Sequence, residues 1–313
     1  MKMLHEMAGK YLGANAVILV GLLLLNVFAW AGGGVDLGAA MVVVRPGELP
    51  NAEKAATAVL VEEVEKRSGI RLETSTNWPV GRAVIAITSQ PEARAWGRDV
   101  PVRKGDNLPE RRAEGYRLLV DTANPSCPAV WIIGADARGA LYGVGALLRN
   151  LDRAKGSVRV SSSLDIATAP ASPIRGHQLG YRTAANSWDA WDVAQFDQYI
   201  RELAFFGVNS VENIPFQDER VSPVMKVPRR EMNRAMSAIC ERYGKTHFII
   251  GNADTRVLTF GTKDQIRAEV ERCMHAGKRC PGYFLCCSGH LAANVPVENA
   301  LYYNDMYMRL RNR

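Results

Sequence analysis

The sequence has no basic stripe, no apolar run long enough to span a membrane, and only one cysteine, Cys127, before residue 240. Its 39 Lys and Arg and 32 Asp and Glu give a formal charge of +7, but the two signs are interspersed throughout. Such scatter argues against a nucleic-acid-binding face. The other cysteines, Cys240, Cys273, Cys280, Cys286 and Cys287, crowd the carboxyl-terminal part, so the two ends read as having had different redox histories. With 47% hydrophobic and 23% charged residues, disorder, collagen and a polytopic membrane protein are excluded. A length of 313 residues is enough for two domains.

The main apolar run, Ala16 to Trp30, is interrupted by Asn26 and falls short of the ~20 residues a hydrocarbon core requires. It follows a segment carrying Lys2 and Lys10 and ends in Ala29-Trp30-Ala31 before three glycines. That is the pattern of a secretory signal peptide over residues 1–31 with an A-x-A cleavage site, the rival being an uncleaved anchor. Cleavage removes Lys2, Lys10 and Glu6 and leaves a chain of charge +6, exported to the periplasm or beyond and without a stable membrane span.

From Met41 to Ile166, strand and helix signals alternate. Met41–Arg45, Ala83–Thr88, Tyr116–Asp121 and Val130–Gly134 are β-branched or apolar runs of strand length. Between Ala52 and Ser68, Ala55, Val59, Val61 and Val64 share one helical face, and Gly69 closes it. Arg138–Leu151, rich in Ala, Leu and Gly, predicts a second helix. The expectation is a compact α/β layer.

The run Gly134-Ala-Asp-Ala-Arg-Gly-Ala-Leu-Tyr-Gly143 fits neither G-x-G-x-x-G nor G-x-x-x-x-G-K-[ST], so a phosphate loop is disfavoured. Its glycines allow a tight strand-to-helix turn, Asp136 can cap the helix, and Gly143 and Gly145 permit close helix-to-sheet packing. Residues 36–168, with this G-A-D-x-R-G-x-x-Y-G motif, resemble the accessory domain that precedes the catalytic barrel in β-hexosaminidases, α-glucuronidases and related glycoside hydrolases. In that resemblance the motif is architectural.

Ala167–Pro173, with Pro170 and Pro173 among small residues, reads as a linker. Ile174–Arg182, Trp191–Phe206 and Val208–Ile214 then predict strand, helix and strand of a (β/α)8 barrel, with Phe196, Tyr199, Ile200, Leu203 and Phe206 on one helical face. Barrel sites form at the carboxyl ends of strands, here Arg175–Arg182, the loop with Asn186, Trp188 and Asp189, and Glu212–Gln217. This stretch resembles the same glycosidases, whose barrels begin with Arg-Gly, and in the hexosaminidases that arginine holds sugar hydroxyls. The matching position is Arg175, whose fork of donors suits paired hydroxyls or a uronate. A structural ion pair at the barrel rim is an equally good reading of it. Tyr181, Trp188 and Trp191 offer faces for a sugar or belong to the core. His177 reads as a hydrogen-bonded wall residue, and Arg182 and Glu212 complete the binding candidates on this side.

Glycoside hydrolysis needs two carboxyl groups flanking the bond, ~5 to 9.5 Å apart. Glu212, Asp218 and Glu219 are the acids near the strand ends, but in the resembled families the catalytic acids sit on later strands, so no catalytic residue is assigned. A full barrel takes ~250 residues, and 140 follow Pro173. The expected fold is therefore α/β, a small α/β sandwich followed by an incomplete TIM-type barrel.

Phe248–Leu258 with its G-N-x-D, a helix over Thr262–His275, Gly282–His290 ending in G-H, and Val295–Ala300 carrying P-x-E-N resemble the last two βα units of uroporphyrinogen decarboxylase-like proteins, over about residues 246–313. In the decarboxylases the histidine of that G-H lines the substrate pocket, which makes His290 a candidate. In methyltransferase relatives a thiolate near this strand end helps bind zinc, but adjacent Cys286 and Cys287 point to opposite faces of a strand, and buried thiols are the better reading. No cofactor or metal is expected. A glycosidase head on a decarboxylase tail is either a fusion packing as a reduced barrel, with exposed sheet edges that favour a homodimer, or a gene model joined near Lys245. The cysteine asymmetry and the exported head on a cytosolic-type tail favour the join. The expectation is a secreted glycoside hydrolase-related protein that acts on or binds carbohydrate, with doubtful turnover. Its alternatives are a non-catalytic binding module or a porphyrin- or corrinoid-associated remnant.

Overall fold

The β-branched runs assemble a six-stranded sheet in the computed structural model, which describes residues 33–89, 95–178, 187–212, 225–243, 248–277, 282–287, 291 and 293–311. Its spatial order is Glu73–Ser75 (β3), Met41–Val44 (β2), Val84–Thr88 (β4), Ala129–Gly134 (β6), Tyr116–Asp121 (β5) and Asp165–Thr168 (β9). β3, β2, β4 and β6 are parallel, and β5 runs antiparallel to β6 and β9. Every residue of β4 and β6 is buried, which explains why these strands read as continuous apolar runs rather than alternating ones.

Asn51–Ser68 (α1) and Ala137–Asn150 (α2) cover one face, packing Val59, Leu60, Leu141 and Leu147 on Val42, Ile85, Val130 and Ile132. α1 ends as expected, at Gly69 with φ 74° and its N–H donating to Glu65 O. The other face is covered by loops: Trp78, Trp96, Val100 and Val102 lie over Val43, Val84, Ala86, Trp131 and Ile133. A three-stranded antiparallel sheet, Gly34–Asp36 (β1), Ser157–Ser161 (β8) and Leu151–Ala154 (β7), completes the domain.

Two boundaries differ from expectation. The linker was expected to begin at Ala167, but Ala167 pairs with Arg117 inside β9, because β5 offers it an open edge. Leu151 leaves the second helix to start β7.

The second part carries parallel strands in two pairs: Gly176–Gln178 (β10) with Ser210–Glu212 (β11), and Phe248–Ala253 (β12) with Gly282–Cys287 (β13). β11 adjoins β12. Helices Val193–Phe205 (α3), Arg229–Arg242 (α4), Thr255–Phe260 (α5), Lys263–Gly277 (α6) and Val297–Leu310 (α7) alternate with them. Among the described residues this is a partial barrel of βα units, and no helix is long and apolar enough to cross a membrane. α3 opens with a capping box, Asp192 and Gln195. It ends one residue before Phe206, which is 71% exposed, so the buried place expected for Phe206 falls to Phe205. The signal segment, Tyr181, Arg182, Asp218, Glu219, His290 and the join at Lys245 lie outside the described residues.

Candidate functional site

The carboxyl ends of β10 to β13 form the rim where barrel sites are built. Two acids stand there among the described residues: Glu212, the last residue of β11, and Asp254, directly after β12. Asp254 caps α5 by accepting from Arg256 N at 2.8 Å, and it accepts from Arg256 Nη2 at 2.7 Å. Those bonds from Arg256 hold its carboxyl below the usual carboxylate range. Asp254 was not singled out in the sequence as an acid at a strand end. The available signal was its place as the D of G-N-x-D, between an apolar run and a helix.

His177, in β10, bonds to Tyr199 of α3, with Nδ1 2.7 Å from the hydroxyl and the rings edge-on at 5.6 Å. Burial raises the Tyr199 hydroxyl above its ordinary pKa. Trp191 packs on Tyr199 at 5.4 Å, on Phe196 at 5.3 Å and on Trp188 at 6.3 Å. His177 thus faces the helical layer, and Trp188 sits in an aromatic cluster over the start of α3, half-buried against the main core.

Arg175 precedes β10, at the end of the strand opposite the rim. Strand alternation puts it on the same side as His177. Its Nε donates to Gly207 O at 2.6 Å, Nη1 to Ser172 O at 2.6 Å and Pro173 O at 3.5 Å, and Nη2 to Glu114 and to Tyr142 Oη, the latter at 3.3 Å. All five of its N–H groups therefore have acceptors within the chain. Of the two readings of Arg175, this geometry is that of the structural ion pair. Glu114, 6% exposed and with φ 61°, also accepts from Arg138 Nε at 3.0 Å and Asn209 Nδ2 at 3.2 Å. Burial pushes the nearby Tyr142 hydroxyl up to about 12.

The glycine-rich motif builds this junction. Asp136 caps α2 by accepting from Gly139 N at 2.8 Å and also accepts from Glu114 N at 2.8 Å. A Cβ on Gly143 would stand 2.6 Å from Ile132 on the sheet, as expected. One on Gly145 would stand 2.5 Å from Phe205 O. Gly145 therefore packs against α3 rather than against the sheet, because α2 lies between them. Arg201 of α3 reaches Glu62 at 2.7 Å and Glu63 at 3.3 Å on α1, further tying the two parts together.

In the tail, Cys273 and Cys287 are buried in an apolar cluster with Leu285 and Tyr303, and Cys286 is half-buried. Burial raises the Tyr303 hydroxyl as well. The described residues contain no group of three or more His, Cys, Asp or Glu placed to hold a metal.

Two family profiles match the chain, domain 2 of glycosyl hydrolase family 20 over residues 26–167 and uroporphyrinogen decarboxylase over residues 214–307. No curated protein sequence matches it. Among solved structures, a family GH115 4-O-methyl-α-glucuronidase with specificity for decorated arabinogalactans superposes with a TM-score of 0.59 at 11% identity, covering 89% of this chain and 40% of its own. A mutant β-hexosaminidase of Streptomyces plicatus gives 0.55 at 13% identity, covering 90% of this chain and 61% of its own. The GH20 exo-β-N-acetylglucosaminidase of Vibrio harveyi gives 0.51 at 15%, covering 89% and 47%. This chain thus spans less than two thirds of each relative, 40–61% of their length, and the likeness at these identities is one of fold.

Proposed function

We propose that the chain is an exported, glycoside hydrolase-related protein that binds carbohydrate at the rim of its partial barrel with little or no turnover. The observation that carries this reading is a coincidence of extent. The family 20 match covers the first domain, and the fold likeness to glycosidases continues over 89–90% of the chain, across the junction into the barrel strands. Tyr181, Arg182, Trp188, Glu212 and His290 are the residues assigned to the sugar. Doubtful turnover rests on the acids: in the resembled families the catalytic carboxyls sit on later barrel strands, and of the two acids at the described strand ends Asp254 is paired with Arg256. The test is release of chromophore from aryl N-acetyl-β-glucosaminide and aryl α-glucuronide, beside binding of the matching oligosaccharides. Binding without release is expected. Release abolished by Glu212→Gln would overturn the non-catalytic part, and absence of binding would overturn the whole.

The uroporphyrinogen decarboxylase match over residues 214–307 favours one second reading, a porphyrin-associated remnant. Titration with uroporphyrin, followed by its absorption band, separates the two, since only this reading predicts saturable binding sensitive to His290→Ala.

A further inference from the structure

We infer that the partial barrel is an interface between two copies of this chain, in which the strands and helices of a second copy complete one closed barrel. The inference takes from the reading above only that the rim is the site. The barrel strands among the described residues run in the order β10, β11, β12, β13. That is half of the eight at which a parallel βα barrel closes. Among the described residues no strand pairs with the outer edge of β10 or of β13. Neither edge strand has the charge or proline that keeps a free edge from pairing: β10 reads Gly-His-Gln and β13 reads Gly-Tyr-Phe-Leu-Cys-Cys.

The helix flanks are open in the same two places. α7 packs on α6 through Met306, which lies with Ile266, Val270 and Met274. Val297 comes nine positions before Met306, about two and a half helical turns, and so lies on the opposite flank, with Leu301 and Met308 in the same stripe. These three are 71%, 66% and 44% exposed. In a βα barrel the flank of a helix turned away from the preceding helix receives the following one. α3 shows the reciprocal arrangement. Its Asp197 bonds to Arg242 and Tyr243 at the end of α4, at 3.0 Å each, and Phe206, again nine positions away, lies exposed on the other flank. The two open sides fit each other when a two-fold axis runs along the barrel. β13 then pairs in parallel with β10 of the second copy, α7 covers α3 of the second copy, and the same contacts recur on the far side. Since both helices start from the rim, Met308 near the end of α7 comes level with Phe206 at the end of that α3. The closed rim carries Glu212 and Asp254 from each copy, so the site is incomplete without the second one.

The test is the molar mass of the full chain by sedimentation equilibrium. Twice the mass of one chain is expected, and a single-chain mass throughout the concentration range overturns the inference. Met308→Lys and Phe206→Glu, each at an exposed position, set a charge against an apolar side chain at both contacts of the pair. Each should weaken association by about a hundredfold or more and leave single chains. Mixed in equal amounts, the two variants should return to the dimer, because one contact then joins Lys to Glu and the other is the native Met308 on Phe206. A dimer that neither substitution dissociates, or single chains that mixing does not restore, overturns the inference. So does a dimer that only Met308→Lys dissociates, which is the mark of two α7 stripes packed on each other. Saturable glycan binding by chains that stay single would leave the carbohydrate reading standing while this inference falls, and dimers that bind no glycan would do the reverse.

Discussion

Arg175 and Glu114, sixty-one positions apart, form an ion pair that joins the accessory domain to the first strand of the partial barrel. Glu114 is nearly buried and also holds Arg138 and Asn209, so the pair is the centre of a network rather than an isolated contact. Removing one partner of a buried pair leaves the other desolvated and underpaired. Arg175→Ala is expected to cost about 2–3 kcal/mol, less than a fully isolated pair because Arg138 remains. Arg175→Lys should recover little, since one ammonium cannot reach acceptors spread around a planar fork. Urea denaturation measures both, and a loss under about 0.5 kcal/mol for Arg175→Ala would mean that the network is not structural.

A second buried pair lies inside the accessory domain. Glu53 is fully buried in α1 and accepts from Arg45 Nε at 3.1 Å and Nη2 at 3.1 Å and from Ser89. No other cation is bonded to Glu53 among the described residues, so Arg45→Ala should be worse than Arg175→Ala, at about 3–5 kcal/mol. Arg45→Met with Glu53→Leu, which removes both charges at similar volume, should restore most of the loss. Equal instability of the single and double variants in chemical denaturation would contradict this.

Gly145→Ala tests how closely the two parts meet. In an exposed helix interior, glycine to alanine stabilises by ~1 kcal/mol. Here the added methyl would meet the Phe205 backbone at 2.5 Å, and backbone cannot swing aside as a side chain can. The substitution is therefore expected to destabilise by about 1–3 kcal/mol, the range for overpacking. A raised melting temperature would show that α2 and α3 stand further apart.

These relationships set out what the sequence made legible. The strands β2, β4, β5 and β6 and the helices α1 and α2 were readable because period, length and the closing Gly69 agreed. The short strands β1, β3, β7, β8 and β9 were not, because three to five polar-rich residues carry too little pattern to separate a sheet edge from a loop. The motif at residues 134–143 was legible as a capped, closely packed turn. Its link to Glu114 was not, since the hydrogen bond from Glu114 N to Asp136 spans twenty-two positions and Glu114 lies in no periodic segment. Arg175 was visible as a fork of donors, but the acceptors that occupy it come from four separate segments. That the buried Trp78 and Trp131 indole N–H groups find no acceptor among the described residues was invisible for the same reason: a tryptophan shows its apolar bulk in a sequence and hides whether its N–H finds a carbonyl.

Acid should act through two paired carboxylates at one edge of the six-stranded sheet. Glu110 accepts from Arg103 Nε and Nη2, each at 2.6 Å, and those bonds hold its carboxyl below the ordinary range. Asp165 is lowered likewise by Arg117, at 3.0 and 2.8 Å. A carboxyl depressed in the folded state binds fewer protons there than in the unfolded chain. Its stabilisation is complete above the unfolded values, about 4.3 for Glu and 3.9 for Asp, and is lost as pH falls through the lower folded values. The melting temperature should therefore drop on acidification below about pH 5. Glu110→Gln with Asp165→Asn should lower it at neutral pH and flatten its decline toward pH 3, since neither amide titrates. If the native chain and the double variant declined in parallel between pH 5 and pH 3, these pairs would not be the acid-sensitive elements, and the Arg256- and Arg272-held carboxyls of the tail, Asp254 and Glu269, would be the next to test.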